Sequence, residues 1–395
     1  MPSDCAFASE PADRSAPVFV FGAGKTGRGF LAHLCHDAGI PFVLVDRDEE
    51  LVRTLRAERR YRVRVLSSPE RVVELRPQAV YGVDDSWDPA FAQTTLCLTA
   101  VFGNNLDSLG ELLSGAFSRR LSRSPGSRLN VITCENLAGA AEKLRSAVLT
   151  RLPDPELRKQ VDDAVGFAEA IVLKTCLAPA AQDDPLTVRA QDFFELPCNA
   201  ASLRAPLPAI AGIRPGEAFQ HQLVRKLYTY NCINAVLTYL GARLGNTLLS
   251  EAAADPETYR WAKRAGEEAS DALVAEFSFD RAEQDTWQVA ALAKFADPRL
   301  PDPLSRNGAD PRRKLGRDDR LIGPARLALR HGGTPRAMAE GIFAGFAFHD
   351  GEEPSLLEIH GDIDCLLREI CGLARDEPLY EYLLGLWQER TRGSS

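Results

Sequence analysis

No stretch of the 395-residue chain approaches the roughly 18 consecutive apolar residues that span a bilayer, which excludes a transmembrane helix. Its beginning, Met1 to Pro17, is polar and rich in Ser, Pro and Ala without a continuous apolar core. It does not read as a secretion signal, and residues 1–16 read as a disordered lead-in. Excess basic charge is also lacking: 47 Lys and Arg against 55 Asp and Glu leave a net charge of −8, the wrong sign for neutralising a nucleic-acid backbone. The nine cysteines are odd in number, scattered and without a Cys-x-x-Cys pair. Neither a zinc site nor a disulfide framework follows, and a reducing cytoplasm is the expected location. Among only six histidines, His33 and His36 have a ligand spacing, but no acid or cysteine cluster joins them and they read as structural. No metal centre and no internal repeat is expected.

Glycine is placed with purpose. The apolar run Val18-Phe19-Val20-Phe21 leads into Gly22-Ala23-Gly24-Lys25-Thr26-Gly27, and a second run, Phe42-Val43-Leu44-Val45, ends on Asp46, nineteen residues beyond Gly27. Strand, glycine turn, helix, strand and acid in this order form a dinucleotide-binding fingerprint. Gly22 allows the tight turn, Gly24 lets backbone N–H groups approach a pyrophosphate, and Gly27 lets the helix pack on its strand, with Lys25 and Thr26 in the loop between. The Asp46 carboxylate suits a ribose diol and repels a 2′-phosphate, which favours NAD; Arg47 beside it is the feature that would favour NADP. Gly24-Lys25-Thr26 resembles the tail of a Walker motif, but the glycine required five places earlier is Phe19.

From Val18 to about Ser202, short β-branched runs alternate with amphipathic stretches, the pattern of a doubly wound, Rossmann-type α/β sheet. A helix is expected near Glu49 to Arg59 and a strand over Tyr61 to Val65. Thr95 to Val101 reads as a buried strand that brings Thr99 and Val101 to the nicotinamide side, and Asn130 to Asn136 as another that ends in polar residues. Prolines between Ala205 and Pro215 mark a domain joint. The reading is a dinucleotide domain over residues 17–202 and a mainly α-helical domain over 203–390, with helices over Glu217–Leu244, Glu257–Phe277, Asp285–Phe295, Ala325–His331, Ala337–Phe348 and Ser355–Cys371.

Lysine is scarce, eight against 39 arginines, and one stands out. Lys226 lies in an apolar helical stretch with Asn231 and Asn234, roughly 140° and 80° around an α-helix from it. A desolvated amine there could take a hydroxyl proton while the amides donate to a developing alkoxide; alternatively the lysine reaches solvent and the amides serve neighbouring backbone. Arg306, Arg312, Arg313, Lys314 and Arg317 could bind a phosphate or simply form a solvated loop.

Gly22-Ala23-Gly24-x-x-Gly27-Arg28-Gly29-Phe30, Cys134-Glu135-Asn136, Arg225-Lys226-Leu-Tyr-Thr-Tyr-Asn231, and Arg313-Lys314-Leu315 followed by Asp319-Arg320-Leu321-Ile322 together resemble the polyol-specific long-chain dehydrogenases, over nearly the whole chain after Pro17. The resemblance implies a metal-independent, NAD-dependent oxidation of a polyol, sugar phosphate or sugar-like alcohol in a cleft between two domains. It places the catalytic lysine on Lys226, the helix asparagine on Asn231 and the strand-end asparagine on Asn136, and supports Arg313 and Lys314 as substrate contacts. Two positions depart from that pattern. Asn234 stands where the resembled family usually has histidine, and Leu173-Lys174 where it has an Asp-Arg pair. These departures motivate an alternative reaction, a lyase or dehydratase in which tightly held NAD oxidises, a β-leaving group departs and the hydride returns. A non-catalytic nucleotide sensor is the third reading.

Overall fold

A computed structural model describes residues 15–349 and 351–392, so the expected lead-in lies outside the described residues apart from Ser15 and Ala16. The chain divides into two units, Met1–Phe219 and Gln220–Ser395.

Among its described residues the first unit carries twelve strands: β1 Val18–Phe21, β2 Phe42–Asp46, β3 Tyr61–Leu66, β4 Arg71–Leu75, β5 Ala79–Gly82, β6 Leu96–Thr99, β7 Leu129–Thr133, β8 Val165–Glu169, β9 Cys176–Leu177, β10 Val188–Gln191, β11 Leu196–Asn199 and β12 Ile213–Gly216. Six of them form a parallel sheet in the order β5-β2-β1-β6-β7-β8. The chain builds outward from β1 on one side, then restarts at β6 and builds outward on the other, which makes β1 and β6 the switch point where ligands bind in such sheets. Both faces are buried, as a parallel sheet requires. Val18 and Val20 enter one apolar core with Leu44 and Leu98, while Phe19 and Phe21 enter the other with Trp87, Phe91 and Val131. The doubly wound reading therefore holds.

The Tyr61–Val65 strand is present but belongs to a second sheet, ordered β4-β3-β10-β9. Its period-two pattern reports this, since Tyr61, Val63 and Val65 are buried while Arg62 faces solvent. The division between units falls later than the proline-rich stretch suggests. β12 occupies the end of that stretch and pairs with β11, Pro197 opposite Arg214, which ties residues up to Gly216 to the first unit.

Behind the glycine-loop helix, Lys174 is only 4% exposed, with its amine 3.9 Å from the centre of the Phe194 ring and 5.4 Å from that of Phe30. The His33 ring meets Phe194 edge-on at 5.0 Å. Burial first, then the charges of Lys174 and Arg71, push the His33 imidazole down to about 3, so it packs as a neutral ring.

The second unit is helical, as read. Its centre is a continuous helical run, Phe219–Lys226, a π turn Leu227–Asn231, then Cys232–Arg243. Cys232 to Gly241 are buried without exception, so this segment has no solvent face. Pro256–Phe277 packs along it, begun by Asp255, which accepts from the Thr258 N–H at 2.7 Å. The buried Glu268 carboxylate then accepts from Ala337 and Met338 N–H groups and so caps the helix Arg336–Phe346. The arginine-rich stretch from Arg306 to Arg317, for which a solvated loop is one reading, runs through two short helices, Leu304–Gly308 and Pro311–Lys314. The single helix expected over Ser355–Cys371 is interrupted at Gly361, where φ is 63°.

Burial pulls the Lys174 amine from its ordinary 10.5 down to about 8. Below pH 8 the folded state must hold a charge it disfavours, and that penalty is relieved as pH rises from 8 towards 10.5, where only the unfolded chain still binds the proton. Lys174→Met is expected to stabilise the protein at pH 7 by about 2 kcal/mol and to lessen the gain with pH by the Lys174 share, leaving that of Lys226, whose amine is lowered to about 8 as well. Thermal unfolding across pH 7 to 10 measures both.

Candidate functional site

Gly22 has a φ of 93°, and a Cβ there would collide with the Ala100 carbonyl; a Cβ on Gly27 would collide with the Gly22 carbonyl. Both positions therefore exclude any side chain. Gly24 differs: nothing lies within 4 Å of where its Cβ would be, and the loop is open at the point where a phosphate must approach. The helix beyond opens with a π turn, Gly27–Leu31. Arg28 is buried within it, its Nε donating to the Ala23 carbonyl at 2.7 Å and its Nη1 to the Leu186 carbonyl, which fixes the loop to the strand layer behind.

A cavity of about 670 Å³ opens at the switch point, bordered by Gly22, Gly24, Asp46, Arg47 and Val101 among others. The Asp46 carboxylate is set by two backbone groups, accepting from Ala23 N–H at 2.5 Å through one oxygen and from Asp48 N–H at 2.9 Å through the other. Each oxygen keeps a lone pair for a ribose hydroxyl, and the charge cannot swing aside for a 2′-phosphate. Arg47 is drawn the other way, its Nη1 donating to Asn105 Oδ1 at 3.1 Å, with Asn105 in turn donating to the Val101 carbonyl at 2.5 Å. The expectation of a cofactor contact at Thr99 meets a different arrangement. Thr99 is fully buried and its hydroxyl lies 2.9 Å from both oxygens of Glu135, which also accepts from Val101 N–H at 3.0 Å. Burial holds the Glu135 carboxyl above the usual carboxylate range, opposed by those hydrogen bonds. Thr99 and Glu135 thus support the cavity wall. Lys25 and Asn136 are exposed and Thr26 half-buried at the same edge of the sheet.

Phe102, Val83, Leu51 and Leu109 also line the cavity and carry no motif in the sequence. The one available signal is topological, because Val83 follows β5 and Phe102 follows β6 at their carboxyl ends. Phe102 is 77% exposed with a φ of 67°, a strained backbone for an aromatic residue and a mark of functional sites.

In the second unit, Arg225 turns inward. Its Nε donates to Gln284 Oε1 at 2.7 Å, its Nη1 to Glu283 Oε1 at 2.8 Å, and its guanidinium lies 4.4 Å from the Trp287 ring centre. Lys226 is thereby directed to another side and is half-buried. Burial chiefly, then the charges of Lys294 and Arg320, lower its amine from 10.5 to about 8, with Asp319 opposing. The turn that follows is π rather than α, closing through an i→i+5 bond, so Asn231 comes round to the side of Lys226 instead of lying roughly 140° away. Asn234 is buried and donates from Nδ2 to Asn307 Oδ1 at 3.0 Å. Arg313 is exposed, paired with Asp310 at 2.7 Å and Asp319 at 3.5 Å, while Lys314 is buried and donates to the Asn307 carbonyl at 2.7 Å. Leu173 and Lys174 lie in the first unit, both buried.

Residues 17–212 match the mannitol dehydrogenase Rossmann domain and residues 219–369 the mannitol dehydrogenase C-terminal domain. A mannitol-1-phosphate 5-dehydrogenase of Bacillus licheniformis is 30% identical over 376 residues, covering 92% of this chain and 97% of that protein. The chain belongs to the mannitol dehydrogenase family. Solved structures share its fold. A D-sorbitol dehydrogenase without substrate superposes with a TM-score of 0.73 at 15% identity, covering 86% of this chain and 82% of that one. A mannitol 2-dehydrogenase of Pseudomonas fluorescens, in complex with NAD and D-mannitol, gives 0.71 at 16% identity over 98% and 93%.

As a member of the mannitol dehydrogenase family the protein is an NAD-dependent oxidoreductase, and the open Gly24, the collision-limited Gly22 and Gly27 and the fixed Asp46 fit that cofactor. No helix among the described residues is long and apolar enough to cross a membrane. Gly27→Ala would drive a methyl group into the Gly22 carbonyl and so displace the phosphate loop. A fall in NAD affinity of at least about 100-fold by calorimetry is expected, about 2.7 kcal/mol of binding.

Proposed function

We propose that the protein interconverts a secondary alcohol and a ketone on a polyol or sugar-like substrate, with the Lys226 amine as the group that takes and returns the hydroxyl proton. The observation that carries this reading is a half-buried amine at the end of the helix Phe219–Lys226, lowered by burial to about 8 and so within reach of neutral pH, followed by a π turn that brings Asn231 to the same side. Family membership and the names of its relatives, which act on mannitol phosphate, sorbitol or mannitol, support the alcohol class.

NAD, when bound, supplies the hydride acceptor. Asp46 and the Gly22–Gly27 loop would hold its ribose and phosphates. Neutral Lys226 accepts the hydroxyl proton at Nζ as the carbon oxidises, and the resulting ammonium is tolerated because Asp319 opposes the charges of Lys294 and Arg320. Asn231 and Asn136 are the proposed partners of the reacting oxygen, donating through their amide groups as charge builds on it.

The base must be deprotonated, so the rate of alcohol oxidation is expected to rise with a single midpoint near pH 8 and level off above it. Lys226→Met should lower kcat by about 10²–10⁴ and remove that midpoint while leaving NAD affinity within about twofold. Incubation with NAD and a panel of polyols and sugar phosphates, followed at the absorbance of NADH, tests the reaction itself. Substrate turnover with no accumulation of NADH would replace it with the elimination alternative.

A further inference from the structure

The parts of NAD follow one another in a fixed order, and the sheet edge that meets them is ordered in the same way. β1, β2 and β5 lie side by side, successive strands about 4.8 Å apart. With the pyrophosphate at the glycine loop after β1 and the adenosine ribose at Asp46 on the end of β2, the adenine is carried on towards the end of β5. Asp46 pairs with Gly82, so Asp84 stands two residues beyond the level of the ribose acid, and both acids border the cavity of about 670 Å³. Leu51, Val83, Leu109 and Leu112 give that cavity its apolar wall, a surface suited to the faces of a flat base.

Of the charged side chains bordering the cavity, all but one are engaged within the protein. Asp46 accepts from the Ala23 and Asp48 N–H groups, Asp48 accepts from Leu51 N–H at 3.0 Å, Arg47 donates to Asn105, and Glu111 lies 3.9 Å from Arg151. Asp84 is exposed and has no hydrogen bond or ion pair among the described residues. Its neighbour Asp85 differs, accepting from Gly82 N–H at 2.5 Å and pairing with Arg56, whose Nε donates to the Val80 carbonyl at 2.8 Å. Arg56 is thereby committed to Asp85, and the Asp84 carboxylate keeps its lone pairs for a ligand. A carboxylate accepts hydrogen bonds and donates none. At position 6 adenine carries an amino group, a donor, where hypoxanthine and guanine carry an oxygen, an acceptor. We propose that Asp84 is a specificity residue for the base of the cofactor, accepting from the adenine 6-amino group, so that the protein binds an adenine dinucleotide and disfavours its 6-oxopurine analogue. The inference goes beyond the reaction proposed above, since it concerns the cofactor alone and does not depend on Lys226.

The test is calorimetric binding of NAD and of nicotinamide hypoxanthine dinucleotide to the full chain, with no alcohol present. The two ligands differ only in the base, so the ratio of their affinities isolates what the base contributes. NAD is expected to bind at least about tenfold more tightly. Asp84→Asn keeps the shape and adds a donor that can meet the 6-oxygen; it should narrow the gap to within about threefold, mainly through tighter binding of the hypoxanthine dinucleotide. Asp84→Ala should narrow it from the other side, through weaker binding of NAD. Both substitutions fall on an exposed side chain, and a general loosening of the fold would weaken both ligands alike and leave the ratio unmoved. Equal affinities in the unaltered protein, or a gap that persists in both variants, overturns the proposal. If neither dinucleotide binds, it falls together with the cofactor. The expected order of binding without turnover of any alcohol upholds it and removes only the reaction assigned to Lys226.

Discussion

A helix with no solvent face leaves every polar atom on it in need of a partner, and the segment around Cys232–Arg243 organises the second unit on those terms. Arg225 gives its Nε to Gln284 and its Nη1 to Glu283 and lays its guanidinium over the Trp287 ring, and Gln284 passes the network on to Thr229 and Ser270 at 2.9 and 3.0 Å. Asn234 finds Asn307, which finds Asp302. These bonds set the rotation and depth of the helix and with it the direction of Lys226, whose proton affinity is lowered by burial and by the charges of Lys294 and Arg320.

The first unit solves a parallel problem with carboxylates. Asp46, Glu135 and Glu169 each take a backbone N–H at or near the carboxyl edge of the sheet: Ala23 for the first, Val101 for the second, Gly139 for the third at 3.0 Å. Loops after parallel strands leave such groups unpaired, and a buried or half-buried acid gathers them into a fixed rim. The same rim supports the cofactor loop and determines which ribose it accepts, so cofactor selectivity and loop rigidity share one cause.

Much of this was written plainly in the chain. Gly22, Gly24 and Gly27 sit between a strand and a helix as expected, and the helix containing Lys226 runs over nearly the residues its apolar pattern marks. Features that depend on contacts between distant segments were not readable. Thr99 lies at the end of an apolar run, yet its buried hydroxyl serves Glu135, thirty-six residues on. The second sheet joins Val63 to Val188 across a separation that no local period encodes. Lys314 and Arg313 are adjacent and equally basic in sequence, but one is buried on a main-chain oxygen and the other exposed between aspartates. The C-terminal helix Pro378–Arg392 went unread because its apolar positions are diluted by Glu, Gln and Arg.

Three π turns occur among the described residues, at Gly27–Leu31, Leu227–Asn231 and Leu366–Ile370. A π turn is an α-helix carrying one surplus residue, and the first two lie in the glycine-loop helix and in the segment proposed to carry the base. Removing one residue from Leu227–Asn231 would leave an ordinary helix in which the residue four places after Lys226 takes the side that Asn231 takes now, with the helix beyond in nearly the same rotation. A single-residue gap at this turn would therefore be absorbed locally and leave the helix beyond on the same face, so the turn uncouples the length of the segment from the packing of Cys232–Arg243.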